Sequence, residues 1–169
     1  MAVIVDTNVV VVANGRSAQA SSDCVETCGE WLEEIMHGEV KLVLDNRWII
    51  LREYMQNLRS NGADVGDRFL GWLLANKDER CDLIPITPID DSENAFEEFP
   101  DDPALDSFDS DDRKFIAVAV AHSEKPSILQ AVDSQWWDFR DAFRRNGVTV
   151  VFICENDIQR LHGSTGAEK

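Results

Sequence analysis

The strongest constraint on this chain is a recurring alternation. Short apolar runs bounded by turn or acidic residues are separated by stretches with helical spacing. Residues 2–5, 40–44, 82–86, 127–132 and 148–153 have strand length and read as strands. The first of them, Ala-Val-Ile-Val, is apolar at every position, the mark of a strand covered on both faces, as in parallel sheets. Between the runs, Ser22 or Asp23 predicts the cap of a helix to about His37, and Asp45 or Asn46 one through Trp48, Leu51, Met55 and Leu58. Further helices are predicted over about 65–76, from Asp112 through Val120, and over 136–145, with a short one at 155–161. Strand and helix alternating along the chain imply an α/β/α three-layer sandwich around a mainly parallel sheet of four to five strands. No internal repeat or second boundary interrupts it, so residues 1–162 are expected to form one domain and 163–169 a flexible tail.

With 44% hydrophobic residues in 169, the chain can bury a core of ordinary size. No apolar run reaches the roughly 20 residues that span a bilayer, and the first residues carry neither a basic region nor a cleavage site. No membrane association and a cytoplasmic location are therefore expected. The cysteines at 24, 28, 81 and 154 lack a zinc-ligand spacing and read as free, largely buried thiols. Net charge is −16, unlike the basic footprint of a tight nucleic-acid binder. The acid is concentrated, however: residues 90–112 hold eleven Asp or Glu and no Lys or Arg, and subtracting them leaves −5 for the rest. This segment, about 88–111, reads as a solvated loop; gating of a site or docking of a basic partner are the sharper roles open to it.

In an open α/β sheet, ligands collect beyond the carboxyl ends of the strands. Asp6 follows the first strand directly, and Asp133 follows Val132. Glu53 sits within a largely apolar helix, and Asp112 opens the helix after the acidic loop. Each could be explained by capping or solvation alone; a helix-capping Asp contributes about 1 kcal/mol without any further role.

Together these segments resemble the PIN-domain nucleases (PilT N-terminus-like, similar to toxin-type endoribonucleases). The likeness covers nearly the whole chain, in order. It rests on Val3-Ile4-Val5-Asp6-Thr7-Asn8, on Ile50-Leu51-Arg52-Glu53-Tyr54, on Asp112 with Phe115 and Ala119 following, and on Gln130-Ala131-Val132-Asp133-Ser134 with Asp138-Phe139 beyond. Two features depart from it: Ala131 stands where a small hydroxyl residue is common, and the acidic segment is long. Asp111 also leaves a one-residue ambiguity, which the spacing to Phe115 and Ala119 resolves toward Asp112.

The resemblance implies a metal-dependent endoribonuclease in which Asp6, Glu53, Asp112 and Asp133 hold one or two Mg²⁺ or Mn²⁺ ions. Hard carboxylate oxygens suit such ions, which activate water and neutralise the phosphodiester. Cleavage leaving a 5′-phosphate is implied. Thr7, Asn8, Ser134 and Asp138 are expected to support the acids. Arg16, Arg140 and Arg144 are candidate RNA contacts, with surface pairing to acids such as Asp141 the plainer alternative. Trp136 or Trp137 could stack on a base. A toxin of a toxin–antitoxin pair, with an antitoxin partner, and a homodimer are both compatible with the likeness. The alternative is a catalytically weak or silent PIN-like scaffold that binds a protein. A haloacid-dehalogenase-type phosphatase would need an acid where Asn8 stands, and a dinucleotide binder a glycine-rich turn that is absent.

Overall fold

A computed structural model describes residues 1–167. Its centre is a five-stranded sheet, every strand parallel to its neighbours, in the order β3-β2-β1-β4-β5. The strands are β1 (Ala2–Val5), β2 (Lys41–Asp45), β3 (Cys81–Ile84), β4 (Ser127–Gln130) and β5 (Val150–Phe152). The inner strands β1, β2 and β4 are almost wholly buried, as their unbroken apolar runs require. Helices α1 (Thr7–Ala13), α2 (Ser22–Met36), α3 (Ile49–Asn57), α4 (Val65–Arg80), α5 (Arg113–Ala121), α6 (Ser134–Asp138), α7 (Arg140–Arg145) and α8 (Glu155–Ala167) flank it. α5 lies against β1, β2 and β4, while α1, α2 and α4 pack on one another.

Several boundaries differ from the sequence expectation, each for a physical reason. The Val9–Val12 run is helical despite four consecutive β-branched residues, because α1 is enclosed by α2, α3 and α4 and burial outweighs propensity. Close approach of α4 to α1 needs Gly66: a Cβ there would stand 2.5 Å from the Val10 carbonyl oxygen. Ser21, rather than Ser22 or Asp23, caps α2, its hydroxyl accepting from Cys24 N–H at 3.2 Å. The helix expected over 136–145 is broken at Phe139 into α6 and α7. α8 runs through Ala167, so the expected tail is helical as far as it is described, and residues 168–169 lie outside the described residues.

The acidic stretch is a stapled strap. Phe96, Leu105 and Phe108 are buried, and Phe108 meets Trp136, Phe139 and Phe143 edge-on at 5.2–5.3 Å. Arg113 stacks on Phe99 and donates to the carbonyls of Leu105, Asp106 and Phe108 at 3.1–3.4 Å. Alternating apolar anchors were hidden in the sequence by the density of acids around them.

The expectation of four free thiols is corrected. Cys24 and Cys154 form a disulfide; Cys28 and Cys81 are free and buried. A separation of 130 residues gave the sequence no means of pairing them.

Candidate active site

The chain moves outward from β1 through β2 to β3, then returns to the other side of β1 for β4 and β5. The connections therefore reverse direction between β1 and β4, and a crevice is expected at the carboxyl ends of these two strands. Asp6 stands at the end of β1, and Asp133 just beyond β4. Gln130, the last residue of β4, bridges them. Its buried amide donates to Asp6 Oδ2 at 3.1 Å, and its Oε1 accepts from the N–H groups of Ala131 and Asp133 at 2.8 and 3.2 Å. Asp6 also caps α1, accepting from Asn8 N–H at 3.0 Å, and Asp133 caps α6, accepting from Gln135 N–H at 3.1 Å.

Glu53 reaches the same crevice from α3. Its neighbour Tyr54, fully buried, donates its hydroxyl to the carbonyl of Val5 and so fastens α3 to the end of β1. The start of α3 is fixed in turn by Asp45, whose carboxylate accepts from the N–H groups of Arg47, Ile49 and Ile50 at 2.9–3.0 Å. Thr7 donates its hydroxyl to Glu53 Oε2, and Lys114 donates its ammonium to Glu53 Oε1 at 3.0 Å and to the Asp111 carbonyl. The Lys114 side chain is only 6% exposed. Arg52 pairs with Glu93 of the strap at 2.7 Å, closing a cavity of about 250 Å³ lined by Glu53, Glu93, Asp111 and Lys114.

Asp112 comes from the opposite direction, at the end of a 3-10 turn leading into α5. It makes no side-chain capping bond there. Its carboxylate instead accepts from the indole N–H of Trp136 at 3.1 Å. Burial pushes its pKa up to about 6, with Asp133 and Asp109 adding to the rise while the Trp136 bond and Lys114 oppose it. Burial likewise lifts Asp6 well above the carboxylate range, and Asp112, Glu53 and Asp133 raise it further. Asp133 is raised by burial and by Asp109. Asp6 thus senses the other three acids, and Asp112 senses Asp133.

No family model, curated protein or solved structure matches this chain. Function is read from the crevice itself. Its donors are hard oxygens, and Asp6, Asp112 and Asp133 share buried negative charge that a divalent cation would relieve. That chemistry fits Mg²⁺ or Mn²⁺. Among the described residues, however, the three ligand atoms that come within 4.8 Å of one another are cysteine sulfurs, not carboxylate oxygens. The four carboxylates do not form such a group.

The supporting residues divide. Thr7 holds Glu53 rather than Asp6, and the Asn8 side chain accepts from Val132 N–H at 2.8 Å, tying the turn before Asp133 to α1. Ser134 opens α6. Asp138 pairs with His162 at 2.6 Å and lines, with Asp109 and Asp112, a cavity of about 410 Å³. Arg16 points to Asp67 at 3.8 Å and to the Asn57 carbonyl. Arg140 stacks on Trp137 at 4.1 Å, and Arg144 pairs with Asp141 at 3.5 Å; both line a larger cavity of about 580 Å³ beside β5. Trp136 is core and Trp137 is partly exposed. Sequence reasoning missed Asp109, Lys114, Gln130 and the ligand-holding role of Trp136. Gln130 carried one signal, an amide ending an apolar strand. Lys114 carried another, a cation within an apolar helix.

Proposed function

We propose that the chain is a PIN-type, divalent-metal-dependent nuclease acting on RNA, with Asp6, Glu53, Asp112 and Asp133 at its centre. The observation that carries this reading is the gathering of Asp6, Asp112 and Asp133 in one crevice with their protonation equilibria raised by shared burial. Buried like charges gathered at a strand switch point are costly unless a cation or a reaction uses them.

A divalent cation held there would supply charge neutralisation for the phosphodiester and acidify the attacking water. Asp6 would be held toward such a cation by Gln130, Asp133 by the N–H of Gln135 and Asp112 by Trp136. Glu53, fixed by Thr7 and Lys114, lies at the edge of the group. Its pairing with Lys114 sets a buried ammonium beside it.

That same pairing favours a second reading, a silent scaffold for a protein partner, because Lys114 neutralises one acid internally. The two are separated by incubating end-labelled single-stranded and structured RNA with the protein in Mg²⁺, Mn²⁺ or EDTA, beside Asp112→Asn. Cleavage that needs metal and disappears in the variant is expected. Cleavage that survives EDTA, or survives the substitution, refutes the nuclease site. Absence of cleavage with both proteins folded favours the scaffold. A toxin role within this activity predicts growth arrest on expression, relieved by Asp112→Asn.

A further inference from the structure

A second group of ligand-type side chains lies outside the carboxylate crevice. Cys24 and Cys28 are one turn apart on α2 and so share a face. Cys154 directly precedes α8, and its carbonyl accepts the helix's first hydrogen bond, from Ile158 N–H at 3.0 Å. The three sulfurs lie within 4.8 Å of one another, although 126 residues separate Cys28 from Cys154. Two of them are joined. The third, Cys28, is fully buried, with its sulfur 4.0 Å from that of Cys154.

A disulfide needs only two sulfurs, and Cys28 is a third beside it. Its position suits a ligand. Zinc–sulfur bonds of about 2.3 Å in tetrahedral geometry set sulfurs roughly 3.8 Å apart, close to the separation already present between Cys28 and Cys154. Cys24 lies in the first turn of α2 and Cys154 immediately before α8, so the starts of two helices bring these sulfurs together. A cavity of about 580 Å³ lined by Ser21, Asp23, Thr27 and Asn156 reaches Cys24 and Cys154, giving entry and room for a water as fourth ligand.

We propose that Cys24, Cys28 and Cys154 form a thiolate metal site: when the Cys24–Cys154 bond is reduced, the three sulfurs bind one thiophilic cation of the zinc class. Opening the bond consumes two electrons and two protons from a thiol reductant of the glutathione class, which leaves as its own disulfide. Binding then releases the protons of the three thiols to solvent as three sulfur–metal bonds form. The oxidised pair and the metal-bound trio are thus alternative closures of the same junction between α2 and α8, independent of the nuclease reading.

The test uses the full chain, reduced with a phosphine, desalted without oxygen and titrated with Co²⁺. Saturation at one equivalent, with an intense near-ultraviolet thiolate-to-cobalt band that Zn²⁺ abolishes, is expected. Cys28→Ala still forms the Cys24–Cys154 disulfide, which certifies its fold in the oxidised state. After reduction it should lose the band and more than about tenfold in Zn²⁺ affinity. Cys81→Ala, at the other free thiol, should bind as the wild type does. Absence of the band in reduced, folded wild type, or an equal band in Cys28→Ala, overturns the proposal. If reduction unfolds the chain, Zn²⁺ is expected to refold it, and failure to do so overturns the proposal equally.

Discussion

Asp112→Asn separates what the crevice costs the fold from what it contributes to chemistry. Burial and the neighbouring acids raise Asp112 from 3.8 to about 6. A difference of about 2.2 pH units corresponds to at most about 3 kcal/mol, by which the ionised carboxylate destabilises the metal-free fold at pH 7.5. Because the folded value lies above the unfolded one, this cost is complete above about pH 7 and recedes as pH falls through 6 toward 4; near pH 4.5 only about 1 kcal/mol of it is left. Asparagine keeps an oxygen to accept from the Trp136 indole but carries no charge. In EDTA at pH 7.5 the variant should gain about 1–3 kcal/mol, a rise in Tm of about 3–10 °C for a domain of this size. At pH 4.5 most of the gain should vanish. Mn²⁺ should then raise the Tm of the wild type more than that of the variant, because binding to the folded state adds stability by mass action. Calorimetry or thermal circular dichroism at the two pH values, with and without metal, measures all of this. A variant less stable than the wild type at pH 7.5 in EDTA, or equally stabilised at both pH values, would refute the account of Asp112 as a charge held against repulsion.

Four further outcomes are expected. Lys114→Met leaves Glu53 without its ammonium partner and should cost about 1–3 kcal/mol in urea unfolding; adding Glu53→Gln should recover most of it, because the unpaired charge is then gone. Trp136→Phe removes the one hydrogen bond that holds Asp112 down, so the acid limb of the pH–rate profile should move upward, with little change if the bond is immaterial. Arg113→Ala frees the carbonyls of Leu105, Asp106 and Phe108 and should make the strap the first site of limited proteolysis. Neutralising Asp90, Asp91, Glu97, Asp101 and Asp106 together should lower KM for RNA at low salt and converge with the wild type at high salt, since the repulsion removed is between exposed charges.

The sheet was legible because its code is local. Apolar runs of four to six residues, each ended by an acid or a turn, could be matched one by one to β1 through β5. The reversal between β1 and β4, which makes Asp6 and Asp133 neighbours, is a matter of strand order and was not legible: β2 also ends in an acid, Asp45, away from it. What the sequence hid depends on distance. Gln130 looks like the frayed end of a strand until its amide is found joining the Asp6 carboxylate to the backbone N–H of Asp133. Lys114 looks like a solvated helix residue until α3 is placed beside α5. Val9–Val12, four consecutive valines, is helical because three other helices enclose it. Cys154 acquires a partner only when α8 is laid beside α2.

The strap shows why a charge count alone misleads. Its acids are not one solvated run. Asp102 accepts from Arg145 and Asn146 at 2.7 and 2.9 Å, Glu93 pairs with Arg52, Glu98 accepts from Thr87 N–H at 2.6 Å, and Asp109 caps the turn that delivers Asp112. Between them stand Phe96, Leu105 and Phe108, all in the core. Excising the strap would therefore remove core side chains and the approach to Asp112 together, and a loss of activity would say nothing about gating. Neutralising only its unpaired, exposed acids leaves these anchors in place. A gate acting by repulsion then shows itself as a salt-dependent change in KM with kcat preserved, whereas a strap that only supports Asp112 leaves both constants unchanged.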